Sequence, residues 1–188
     1  MEEFDRYIIE ATRIRRAVVV YSEMFGSSDS VAELNKSVGR AFSIIQRSMH
    51  DEILMSLSRL FDGSGYKFKG SNCEYLSQYN LVSKYDEFLD PKGQKLKAIS
   101  SKLLSRLSFK SYRDLKVAHN DKETVLAASS SIKHEITSCK VLLLLDVTIQ
   151  LMLNLKTSIS KSDKISVPVN LNDKYDGVGI LVVNKMKS

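Results

Sequence analysis

The sequence predicts an all-α fold, a bundle of about five to six helices followed by a short irregular C-terminal tail. Two observations carry this. Apolar residues recur at spacings of three and four over long stretches, the period of a helix with one buried face. Only two prolines and eight glycines punctuate 188 residues, which favours long helices over many short strands. A chain of this length, 43% hydrophobic and 27% charged, can bury one substantial core. The bundle is placed over residues 1–160 and a C-terminal extension over residues 161–188.

The first helix is predicted over residues 2–24, where Phe4, Tyr7, Ala11, Ile14, Val18, Tyr21 and Phe25 repeat at three and four. Arg6, Arg13 and Arg16 fall on its other side, which reads as a solvated face. Gly26-Ser27-Ser28 breaks it, and Asp29 or Ser30 suits the cap of the next helix. That second helix, the longest, is predicted over residues 30–61 with Val31, Leu34, Val38, Ala41, Ile45, Met49, Ile53, Leu57 and Leu60 as its seam. His50-Asp51-Glu52 has the composition of an acid–base site. Adjacent helical residues point in different directions, however, so it reads as surface. At the helix end, Arg59 suits the negative end of the dipole and Asp62-Gly63 suits an exit turn.

Residues 63–71 read as a glycine-rich, basic loop in which Tyr66 and Phe68 alternate with Lys67 and Lys69. That composition suits RNA contact by stacking and charge, and suits a mobile loop with two anchors at least as well. Asn72 is a candidate cap for a short helix to Leu81, and Asp90-Pro91-Lys92-Gly93 is a turn. A helix over residues 94–107 follows, with Leu96, Ile99, Leu103 and Leu107 inward. A further helix is predicted over residues 133–159, with Ile136, Cys139, Leu143, Val147, Leu151 and Leu155 as its seam. Its apolar run, residues 141–155, is shorter than the roughly 20 residues of a membrane span. Asp146, Gln150 and Asn154 at spacing four mark a polar stripe on it. Residues 177–183 have the propensity of a strand, but their place at the end of a helical chain suits a short helix or an irregular tail.

Composition narrows the function classes. Cys73 and Cys139 stand far apart, and with His50, His119 and His134 they make no zinc spacing, so no metal or other cofactor is expected. Lone cysteines and the acidic start Met1-Glu2-Glu3-Phe4-Asp5 point to a cytoplasmic protein without a signal peptide or membrane partner. The net charge of +6 and pI near 9.2 permit a nucleic-acid partner without requiring one.

The chemistry concentrates in Tyr112-Arg113-Asp114-Leu115-Lys116-Val117-Ala118-His119-Asn120-Asp121. Arginine holds a phosphate with a fork of donors, and histidine moves protons near neutral pH without a metal. Together they form a minimal kit for cleaving RNA, with Asp114, Asn120 and the lysines Lys110, Lys116 and Lys122 as further contacts. The same residues also suit a surface ion pair beside a core histidine. On an ideal helix, six residues turn roughly 600°, so Arg113 and His119 lie about 120° apart and about 9 Å along the axis. They do not share a face, unless a helix end intervenes or a second subunit completes the site.

Arg113, an acid directly after it, and His119 six residues on resemble the Arg-x(4–6)-His signature of the HEPN superfamily. The end of the second helix, Leu57-Ser58-Arg59-Leu60-Phe61-Asp62, and the later Ala118-His119-Asn120-Asp121-Lys122 look like its abortive-infection U-type branch. The resemblance covers residues 29–159. It implies a dimeric helical bundle and a metal-independent endoribonuclease of phage defence or a toxin–antitoxin pair. It places Arg113 and His119 of both chains in one interface cleft, with RNA, including transfer RNA, as substrate and an antitoxin as a further partner. It also implies Arg59 and Asp62 as motif positions of structural weight. Some HEPN domains bind nucleotides or RNA without cutting, and a structural helical dimer remains open. One HEPN group, paired with nucleotidyltransferase antitoxins, carries a tyrosine two residues after the histidine. Asp121 stands there, which argues against adenylylation at that position.

Overall fold

A computed structural model describes residues 1–63, 65–109, 136–162 and 178–187. Among them, helices α1 (Glu2–Phe25) and α2 (Ser28–Phe61) form a long hairpin. Strands β1 (Gly65–Phe68) and β2 (Ser71–Glu74) follow, then α3 (Gln78–Lys84), a 3-10 turn (Asp86–Phe88) and α4 (Pro91–Leu107). Helices α5 (Ser138–Ser162) and α6 (Val178–Lys187) complete the described chain. The fold is mostly helical, as the periodicity implies.

Helix α1 lies at the centre of the bundle. Phe4, Tyr7, Ala11, Ile14 and Val18 are buried along one stripe, the spacing expected for a core-facing helix. It packs between α2 and α5, and α4 covers the other side of α5. The α1–α5 pairing is antiparallel: Arg15 Nε lies 2.7 Å from Asp146 Oδ1, and Lys156, nearly buried, donates to Asp5 in the first turn of α1. Tyr7 Oη donates to the Leu60 carbonyl at 3.3 Å, which satisfies a hydroxyl that burial would otherwise leave costly. Between α3, α4 and α5, the buried Gln78, Ser100 and Thr148 satisfy one another. Gln78 Nε2 donates to Ser100 Oγ at 2.8 Å, and Thr148 Oγ1 donates to Gln78 Oε1 at 2.8 Å.

Four local readings change. The glycine-rich stretch is a hairpin, not a loop: Tyr66 pairs with Cys73 and Phe68 with Ser71. Asn72 sits in β2, and it is Ser77 that caps α3, accepting from the Asn80 amide at 3.3 Å. Helix α4 starts three residues before the expected Gln94, because Asp90 caps it through the Gly93 amide at 2.7 Å and Pro91 suits its first turn. Of the seam expected here, Leu151 and Leu155 are fully buried and Ile136 packs on the core just before α5, whereas Cys139 and Leu143 face outward and Val141, Leu144, Leu145, Thr148 and Met152 complete the buried face. The continuous apolar run hides its own phase there, and the polar stripe carries it: Leu143 shares the side of Asp146 and Gln150.

By length and composition α5 is able to cross a membrane, and its Leu144, Leu145, Thr148, Leu151, Met152 and Leu155 are fully buried inside the bundle. In α2 the middle of the expected seam turns outward. Ala41 and Ile45 are exposed, and Phe42 takes the inward place. Over residues 178–187 the C-terminal extension is helical and folds back onto α1 and α2, where Val183 joins Met24, Leu34 and Phe42 in a second small core.

Candidate functional site

Arg113, Asp114, His119, Asn120, Lys110, Lys116 and Lys122 lie outside the described residues. The structure describes the residues on either side of that stretch. Helix α4 stops at Leu107 because Ser108 takes a left-handed conformation, φ 47° and ψ 38°. Phe109, four residues before Arg113, is then buried and stacks on Phe61 at 6.4 Å between ring centroids and 17° between planes. Phe61 is the last residue of α2, so Phe109 sits beside the α2 C-terminus. On the return, Ile136 packs against the core and Thr137 caps α5, its carbonyl accepting from the Val141 amide at 3.0 Å.

The two motif positions at the α2 end are described. Arg59 lies in the last turn, the favourable end of the helix dipole for a cation. Asp62 is the C-terminal cap, in an extended conformation that redirects the chain into the hairpin. Arg59 also acts across the helix pair. Its charge adds to the field that keeps Glu10 and Glu52 ionised.

That field centres on Arg13, read from sequence as part of a solvated face. Arg13 Nη2 donates to Glu10 Oε1 at 2.8 Å, to Glu52 Oε1 at 3.1 Å and to Ser56 Oγ at 2.9 Å. Ser56 in turn donates to Glu52 at 2.8 Å. The Arg13 hydrogen bond holds Glu10 below the ordinary carboxyl range, and the Ser56 hydroxyl, then Arg13, does the same for Glu52. The guanidinium itself is pushed further above its ordinary value by Glu10. The network links α1 to α2 and offers no proton donor near neutral pH. Arg6 pairs with Glu2 at 2.9 Å, as a solvated face implies.

His50 is half-buried and lines a cavity of about 240 Å³ with Tyr21, Ile53, Leu57, Thr137 and Val141. Its Nδ1 lies 3.1 Å from the neighbouring Asp51 carboxylate, and its ring lies 6.3 Å from Tyr21. The cavity is mostly apolar and opens where α5 begins. Among the described residues, no group of three histidine, cysteine or acidic side chains could hold a metal ion.

The sequence reading of the hairpin named Tyr66 and Phe68 but missed Tyr75. The two-residue turn Lys69-Gly70 takes positive φ at both positions, 47° and 82°, the conformation of a tight type I′ hairpin. With that register Tyr66 and Phe68 share one face. Tyr75, two residues past Cys73, reaches the same face and stacks on Tyr66 at 5.1 Å. The alternation Tyr-x-Phe before Lys-Gly was the available signal.

Compared with known proteins, residues 2–173 match a HEPN family described as AbiU2. No curated protein and no solved structure matches the chain.

Proposed function

The chain belongs to the AbiU2 family of HEPN domains, an abortive-infection-related module, and from that membership we propose that it is a metal-independent endoribonuclease of phage defence or of a toxin–antitoxin pair. The observation that carries the proposal is the extent of the match. It runs through residues 2–173 and so includes Arg113 and His119 at the spacing of the HEPN signature.

In this reading a dimer brings Arg113 and His119 of both chains into one cleft, and neither pair has to share a helix face. The ribose 2′-OH attacks the adjacent phosphorus. The His119 imidazole, whose unperturbed pKa is about 6.5, accepts or returns the proton. The Arg113 guanidinium neutralises charge growing on the phosphoryl oxygens. The leaving 5′-oxygen takes a proton, and the products are a 2′,3′-cyclic phosphate and a 5′-hydroxyl. Asp114 orients a neighbouring side chain or a water, and Asn120, Lys110, Lys116 and Lys122 contact the RNA backbone. A dimer doubles the formal charge from +6 to +12, which attracts RNA in a salt-dependent way. Ile44 and Ile45, outward on α2, supply an apolar surface that supports pairing of two copies. An antitoxin partner and a cytoplasmic setting complete the proposal.

Purified protein incubated with transfer RNA and total RNA in EDTA tests it. Cleavage by the wild type and not by Arg113→Ala or His119→Ala, all three folded, is the expected result. Equal cleavage by all three removes the site assignment. RNA binding that both variants lose, with no cleavage by any protein, would favour a non-catalytic RNA-binding module instead.

A further inference from the structure

The hairpin after α2 has features that bundle stability does not explain. A two-stranded ribbon on its own is marginal in water, and stable examples bury one face. Here every residue of β1 is exposed, and the aromatic face is left to solvent, Tyr66 at 48% and Phe68 at 56%. The tight turn fixes the register, so the two rings project side by side, about 6.8 Å apart along β1. Tyr75 extends the row by stacking on Tyr66, with planes 29° apart. Lys69 Nζ lies 5.5 Å from the centre of the Phe68 ring, at the turn end of the row, while Lys67 lies on the opposite face. From residue 65 to residue 74 the ribbon carries two lysines and one acid, Glu74, which pairs with Gly65 and lies on the face of Lys67, away from the rings.

Charge and chemistry together select the occupant. Cores of protein–protein interfaces are depleted in lysine, and lysine on an edge strand opposes addition of another strand. Single-stranded nucleic acid takes up both features at once, because unstacked bases lie on aromatic rings while lysines meet the phosphates. The ribbon is rooted at the end of α2, beside Phe109. It follows Phe61, and Phe61 stacks on Phe109, four residues before Arg113.

We propose that the Tyr66–Phe68–Tyr75 face of the hairpin binds single-stranded RNA by base stacking, with Lys69 at the turn meeting its phosphates. The binding does not rest on the ribonuclease reading.

The test is fluorescence anisotropy with a labelled single-stranded oligouridine and with a duplex RNA, in EDTA. The Tyr66→Ala/Phe68→Ala double variant is expected to weaken single-strand binding roughly 10-fold or more, with melting unchanged because both side chains are exposed. Tyr66→Phe keeps the ring and is expected to keep the affinity. Lys69→Ala is expected to lower the salt slope by about 0.7. Unchanged single-strand affinity in the folded double variant overturns the proposal, as does absence of single-strand binding by the wild type. Loss of self-association in the double variant, seen by light scattering without RNA, also overturns it and makes the ribbon a protein-contact arm. Failure of the two readings is distinguishable. Cleavage by a wild type whose binding ignores the ring variants sinks this proposal alone, and ring-dependent binding without any cleavage sinks the ribonuclease alone.

Discussion

Glu52 shows how a single side chain contributes to the bundle. It accepts from Ser56 and from Arg13, and both interactions favour its ionised form. A carboxyl whose folded pKa is depressed contributes stability that is present above its unfolded pKa, about 4.3 for glutamate, and is lost as pH falls through the folded value. Glu10 acts in the same direction. The melting temperature is therefore expected to fall as the medium is acidified below about pH 4.3. Glu52→Gln should start lower and lose less over the same range. The contribution is below about 1 kcal/mol, since half of the Glu52 side chain faces solvent. Parallel acid limbs in the two proteins would show that the network adds nothing. None of this was legible in the sequence, where Arg13 and Glu52 stand thirty-nine positions apart. Spacing along one helix assigns a face, but it does not reveal what the neighbouring helix brings to that face.

Helix α6 makes the same point for a whole element. Residues 177–183 have strand propensity, yet Val178–Lys187 is a helix. Its start is held from outside. Glu23 of α1 accepts from the Gly179 amide at 2.8 Å and the Ile180 amide at 3.3 Å, so a carboxylate from another helix does the work of a local cap. Val182 and Val183 then pack against the end of the α1–α2 pair. A ten-residue helix is marginal alone, and tertiary contact supplies what propensity does not. Gly179 permits the approach: a Cβ there would meet Glu23 Cβ at 2.7 Å and the Val20 carbonyl at 2.8 Å. Gly179→Ala is expected to cost about 1–3 kcal/mol in that docking and to speed hydrogen exchange over residues 178–187, while the main core keeps its protection. Unchanged exchange would mean that the contact does not hold the helix. In α5 the misplacement of Cys139 and Leu143 was avoidable, since Asp146 and Gln150 already marked the outer side. In the hairpin the Tyr-x-Phe alternation was visible, but Lys-Gly is a weaker turn signal than Asn-Gly and the glycines suggested a loop.

For the whole molecule, sequence periodicity recovered the bundle because helix after helix repeats its apolar residues at three and four, and the family signature lay in a short string that needs no structure to read. The exposed apolar surface of α2 was not legible, because an outward isoleucine looks the same in sequence as a core one. Ile44 is 68% exposed and Ile45 41% exposed on α2. Light scattering is expected to find a dimer, and Ile44→Asp is expected to shift it toward monomer and to reduce RNA cleavage with it. A wild-type monomer that cleaves at full rate would remove the composite site. The ribonuclease itself is tested most directly by the chemistry of the product ends, read by mass spectrometry after digestion of transfer RNA in EDTA. A 2′,3′-cyclic phosphate and a 5′-hydroxyl are expected from the wild type, and neither from His119→Ala. Products ending in a 5′-phosphate, or the same ends from both proteins, would contradict catalysis by His119 through the ribose 2′-OH.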